Sequence, residues 1–154
     1  MKMEDTETIV DIINTKDSYI YNIQRIINDK YREIFPNTQL GKNDTIMIFN
    51  IYKEPKFYEC NENKKIMYNG ILSISEENFN DDEENKYWKG YEKYSICKIL
   101  NNLKKNNYVK DDTLILIISE NNQYKDIGFL DLCEDNNNNI FFSRIDDLLS
   151  YCKN

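Results

Sequence analysis

The chain has 154 residues, a net charge of −7 and a pI near 4.7. That acidic balance argues against non-specific nucleic-acid binding, which needs a basic surface to displace counterions, and favours solubility and a basic partner. Histidine and alanine are both absent, which removes every Ser-His, Cys-His and His-metal arrangement and the strongest helix former.

Met1 to Thr15 carries Val10, Ile12 and Ile13 behind acidic residues, and reads as a short helix with acids near its N-terminus, or as the tail of a preceding segment. From Asp17 the texture changes. Tyr19, Tyr21 and Ile23 alternate with Ile20, Asn22 and Gln24, the pattern of a strand. Asn28 to Gly41 contains a turn at Pro36–Asn37 and another near Gly41. Thr45 to Lys53 is the clearest early strand, with Ile46, Ile48 and Asn50 on one face and Met47, Phe49 and Ile51 on the other. Pro55 is expected to end it, since proline cannot donate to a ladder. Phe57 to Cys60 reads as a short strand. Lys65 to Ser75 is another, and Gly70 inside it suggests a bulge or a close backbone approach. Glu76 to Lys86 loses alternation, carries Asp81, Asp82, Glu83 and Glu84, and is expected to be an exposed acidic loop.

Tyr87 to Tyr94 then packs four aromatics around Gly90. Ser95 is expected to cap a helix through Ile96, Ile99, Leu100 and Leu103, which recur near the helical period. Asn106 to Asp112 is a turn. Thr113 to Ser119 is the strongest strand, apolar enough for burial on both faces. Ile127 to Leu132 and Ile140 to Phe142 read as strands and Asn136 to Asn139 as a loop. Ser143 to Tyr151 reads as a closing helix with Ser143 as cap. Short strands spaced by turns, with little helix, predict a mainly β protein: an antiparallel β-sandwich of seven or eight strands with short helices, with α+β as the alternative.

The cysteines, Cys60, Cys97, Cys133 and Cys152, are far apart and form no C-x-x-C pair. Neither a metal site nor a disulfide framework is expected from them. Met1 to Asp17 has no apolar run of signal-peptide length, and no segment approaches a membrane span. The expected compartment is therefore reducing, cytoplasmic or nuclear, with the cysteines as inert thiols. No phosphate-cradling glycine motif is present. The acid pairs Asp111–Asp112 and Asp146–Asp147 and the run from Asp81 to Glu84 look like loop and cap acids rather than general acid/base pairs, and the run lacks the spacing and glycine of a calcium loop. The chain is not expected to be an enzyme, and no cofactor or metal is expected.

The segment Tyr87 to Ser119 resembles the C-terminal half of the MATH domain, also called the TRAF-like or meprin-and-TRAF-homology domain. The resemblance is carried by Gly90-Tyr91-Glu92-Lys93-Tyr94, then Ile96 to Leu100, then Asn107-Tyr108-Val109, then Asp111-Asp112-Thr113-Leu114. Upstream, Tyr19 to Ile23 is similar to the family's opening strand. There are departures. Lys89 intervenes in the usual W-G pair, the family's second tryptophan strand is missing, and the chain runs beyond the usual domain end. The resemblance implies an eight-stranded antiparallel sandwich that holds a short extended peptide, as a substrate-docking or adaptor module in ubiquitin signalling. It places the peptide-binding residues at Tyr87, Trp88, Lys89, Gly90, Tyr91 and Glu92. Trp88 and Tyr91 would be apolar anchors, Gly90 would admit a close backbone, and Lys89 and Glu92 would tune charge. A lone tryptophan among tyrosines also reads as core, so groove and core both stand for Trp88.

The organisation implied is an N-terminal extension over 1–16, a MATH-like sandwich over 17–121, and a C-terminal extension over 122–154 that could complete the same domain. A protein or peptide partner is expected, with no nucleic acid and no membrane. No heptad pattern is visible, so a monomer is expected. The alternative function is an acidic antagonist, viral or toxin-neutralising, that binds a basic protein surface through an acidic patch including Glu76 to Glu84.

Overall fold

Alternating β-branched and aromatic side chains build seven strands in the computed structural model, which describes residues 6–60, 65–75, 79, 81–119, 123–135 and 137–153. The strands are β1 (Thr6–Asn14), β2 (Ser18–Ile27), β3 (Asn43–Glu59), β4 (Lys65–Ile74), β5 (Leu114–Ser119), β6 (Leu130–Asp135) and β7 (Asn138–Arg144). The α-helices are α1 (Asp29–Ile34), α2 (Asp82–Tyr87), α3 (Tyr91–Lys105) and α4 (Ile145–Cys152). The protein is mainly β with short helices. All seven strands hydrogen-bond into one sheet of order β1-β2-β3-β4-β5-β7-β6. Every pairing is antiparallel except β4–β5, and that pair needs the long crossover that α2 and α3 occupy. Residues 6–14 and 130–144 thus pair in the same sheet as the middle of the chain.

One face of the sheet carries the core. Tyr21, Ile23, Met47, Phe49, Ile51, Leu72, Ile115, Ile117 and Phe141 pack with Ile96, Ile99, Leu100 and Leu103 of α3 and Ile145 and Leu148 of α4. The helical spacing in α3 is as expected, and of the two faces read for β3 it is that of Met47, Phe49 and Ile51 that is wholly buried. Leu116 and Ile140 alternate onto the opposite face and are buried as well.

On this side of the sheet β3 bends. Its register with β4 shifts between Ile51 and Lys56, where five steps along β3 face two along β4. Pro55 therefore does not end the strand; it lies in this bulge, where a missing donor costs nothing. The distal hairpin ends at Cys60, which is bonded to Cys133 of the edge strand β6 with a Cα–Cα distance of 6.4 Å. A flat sheet would hold β3 and β6 roughly 19 Å apart across four strand spacings, so the hairpin turns back over the outer face. Gly70 sits opposite Ile51 at the bend. A Cβ there would meet Ile51 Cδ1 at 2.8 Å and Phe49 Cε1 at 2.9 Å, the close approach its position suggested.

Several local expectations are corrected. Of the segment expected as a helix, residues 6–14 are a strand, and residues 1–5 lie outside the described residues. Thr15 Oγ1 accepts from Asp17 N and Ser18 N, closing a turn that lays β1 along the whole of β2. The turn region after Ile27 contains α1, capped by Asn28 Oδ1, which accepts from Tyr31 N at 3.0 Å. Ser95 does not cap a helix; it is buried within α3, which begins at Tyr91. Ser143 does not cap a helix either; it lies within β7, and Arg144, the last residue of that strand, is the N-cap of α4. The inert thiols are corrected too: Cys60–Cys133 and Cys97–Cys152 are disulfides, and the second ties α3 to α4. No described helix is long and apolar enough to cross a membrane.

Candidate functional site

The acidic run before the aromatic cluster is where the site begins. Of the segment expected as a loop, residues 76–78 and 80 lie outside the described residues. Asp81 is an N-cap, its Oδ1 accepting from Glu83 N at 2.8 Å and Glu84 N at 3.4 Å. Asp82 and Glu83 follow in the first turn of α2, where the helix dipole favours acids. The cap turns Glu84 inward. Its side chain is buried, and its Oε2 accepts from Tyr31 Oη and from Thr38 Oγ1, each at 2.5 Å. A buried carboxylate is tolerable when hydrogen bonds replace its water. The Asp81 to Glu84 run is therefore not the continuous anionic surface its composition suggested.

The same hydroxyl holds the tryptophan. Trp88 Nε1 donates to Tyr31 Oη at 2.7 Å. Trp88 is only 5% exposed, and Tyr31, Tyr87 and Tyr91 surround its ring with centroids between 4.7 and 5.9 Å away. The Arg25 guanidinium lies 4.9 Å from the ring centroid, and its Nη2 pairs with Asp44 Oδ2 at 3.3 Å. Arg25 is fully buried, and a cation there needs both the aromatic face and the counter-ion. Burial, and then the bond to Glu84, push the Tyr31 hydroxyl well above the usual tyrosine range. Trp88 is thus core by burial, while one side of it still forms a wall of the cleft beside it.

That cleft has a volume of about 480 Å³. It lies between the β3 start, the β4 end and the α2–α3 junction. Ile46, Met47, Ile74 and Phe79 give it apolar walls, with Ser75 and Asn85 at polar positions. Five of the six residues singled out from the sequence line it: Trp88, Lys89, Gly90, Tyr91 and Glu92. Tyr87 does not; it packs edge-on against Tyr31 and Phe35. Lys89 and Gly90 are exposed, while Tyr91 is buried. Gly90 has φ +81° and precedes the first residue of α3, the left-handed conformation that glycine adopts without penalty. The cleft sets an apolar wall beside a rim of mixed charge, and more of its exposed lining is polar than apolar.

Arg25, Tyr31, Asp44 and Glu84, which support this wall, were not singled out from the sequence. Arg25 carried one signal: it falls in phase with Tyr21 and Ile23 on a strand. Glu84 carried none, because a fourth acid in an acidic run gives no sign that it turns inward. Among the described residues no group of His, Cys, Asp and Glu is arranged to hold a metal.

No family model, no curated protein and no solved structure matches the chain. The segment that resembles the MATH family forms α3, a turn at Asp111–Asp112 and β5, and the parallel β4–β5 pair departs from the all-antiparallel sandwich that the resemblance implied.

Proposed function

We propose that this protein is an interaction module that takes a short extended peptide in the cleft beside Trp88. The observation that carries the reading is the convergence of Trp88, Lys89, Gly90, Tyr91 and Glu92 on one cleft with apolar walls. Most of a bound segment's affinity would come from apolar side chains against Phe79, Trp88 and Tyr91, and its orientation from the charged rim. Gly90 has nothing within 4 Å of where a Cβ would stand, which leaves room for a ligand backbone. A docking or adaptor role in ubiquitin signalling is the narrower form of this proposal and rests on the resemblance alone. A binding role also agrees with the cysteine pairing, since a bonded sulfur is no thiolate nucleophile.

The test is selection from a random peptide library, followed by amide chemical-shift mapping of the peptides selected. Shifts centred on Lys89, Gly90 and Glu92, with affinity lost in Lys89→Glu and Glu92→Lys, are expected. Shifts centred elsewhere, or salt-sensitive binding of basic proteins only, would favour the acidic-antagonist reading instead.

A further inference from the structure

The two edges of the sheet are treated differently. Strand β6 has six residues, a register break between Asp131 and Cys133, acids at Asp131 and Glu134, and a disulfide to the returning hairpin. These are the devices that keep an edge from pairing with another chain. Strand β1, at the opposite end of the sheet, also carries acids, Glu7 and Asp11, but is longer and has neither the register break nor the disulfide. It pairs with β2 over nine residues without a register break, from Thr6↔Ile27 to Asn14↔Tyr19. It contains no lysine, arginine or proline, and exposes Ile12 at 41% and Ile13 at 53%. Its outer backbone edge faces no other strand among the described residues.

We infer that β1 is a self-association edge, on which a second copy of this chain adds antiparallel to make one sheet through both subunits. The strand's own sequence selects that occupant. A two-fold axis normal to the sheet pairs residues of the same face, so it must pass through a residue position rather than between two. Centred on Asp11, it sets two like carboxylates face to face. Centred on Ile9, it leaves Ile13 and Asn14 without a partner among the described residues. Centred on Val10, the midpoint of Thr6–Asn14, it pairs all nine positions and puts Asp11 opposite Ile9. No like charges then face each other. The register is thus fixed by charge and length together. Each copy carries −7, so association works against net repulsion and strengthens as salt screens it.

The experiment is sedimentation equilibrium of the full chain over a range of concentration and salt, with cross-linking by air oxidation of single-cysteine additions. A dimer that grows with salt is expected. In Val10→Cys the two new cysteines face each other about 5 Å apart at Cα, within disulfide reach, and a covalent dimer is expected. In Asp11→Cys they are offset to about 8 Å and no covalent dimer is expected. The variant Ile9→Glu, which sets a second carboxylate against Asp11 on both copies, is expected to be monomeric, with the melting temperature that the wild type shows at concentrations where it too is monomeric. A monomer under all conditions overturns the inference. So does a dimer that survives Ile9→Glu, or one in which Val10→Cys does not cross-link.

Discussion

The indole nitrogen of Trp88 donates to the hydroxyl of Tyr31 at 2.7 Å, and that hydroxyl donates in turn to Glu84 Oε2 at 2.5 Å. The relay joins α1, α2 and the wall of the cleft. Tyr31→Phe removes its centre and leaves both the indole N–H and the carboxylate one partner short. We expect a loss of about 1–3 kcal/mol, read as a lower urea midpoint with Trp88 fluorescence as the probe. Thr38→Val, which leaves the relay to Trp88 intact, should cost less. An unchanged midpoint in Tyr31→Phe would remove the network from the account of stability.

Alkaline pH should destabilise the protein through its buried tyrosines. Burial raises the hydroxyls of Tyr21, Tyr31 and Tyr68 above their ordinary value. Above about pH 10 the unfolded chain loses these protons while the native state keeps them, so the unfolded state binds fewer protons and stability falls as pH rises. The contribution is complete below that pH and is lost progressively toward the native values. Melting temperature against pH should bend downward there, and Tyr21→Phe should flatten the bend. The same slope in wild type and variant would count against it.

Both disulfides close long loops, spanning 73 residues for Cys60–Cys133 and 55 for Cys97–Cys152. Chain-entropy arguments assign each about 4 kcal/mol at most, and less where native geometry is strained. The double variant Cys97→Ser with Cys152→Ser should lower the melting temperature by loosening α4 from α3. Cys60→Ser with Cys133→Ser should instead raise amide exchange in the hairpin from Lys56 to Tyr68. A thiol-reactive label that modifies the native, non-reduced protein would show that the pairs do not form.

Gly70 and Gly90 should respond differently to the same change. Gly70→Ala forces a methyl against Ile51 and Phe49, and overpacking of this kind costs about 1–3 kcal/mol. Gly90→Ala meets no atom, but its φ of +81° is a left-handed conformation costing roughly 1–2 kcal/mol for an L side chain. Gly90→Asn should recover part of that loss and Gly70→Asn none of it. Chemical denaturation of the four variants decides the point.

Local pattern alone determined the mainly β class, the centres of β2, β3, β4, β5 and β7, and the apolar stripe of α3, because alternation and helical spacing are written in neighbouring residues. Trp88 to Glu92 was picked out by the resemblance to the MATH family rather than by local pattern; these residues line one cleft because they form one short stretch across the α2–α3 junction. The tertiary structure alone decided the rest. Met1 to Thr15 has a spacing that suits either helix or strand, and it was the length of β2 alongside that made residues 6–14 an edge strand. The disulfide partners lie dozens of residues apart, and only the bend at Pro55 and the packing of α3 on α4 bring them together. Glu84 read as part of an exposed acidic loop and Arg25 was not singled out, yet both are buried because Tyr31, Thr38, Asp44 and Trp88, contributed by separate elements, supply the hydrogen bonds and counter-charge that burial requires.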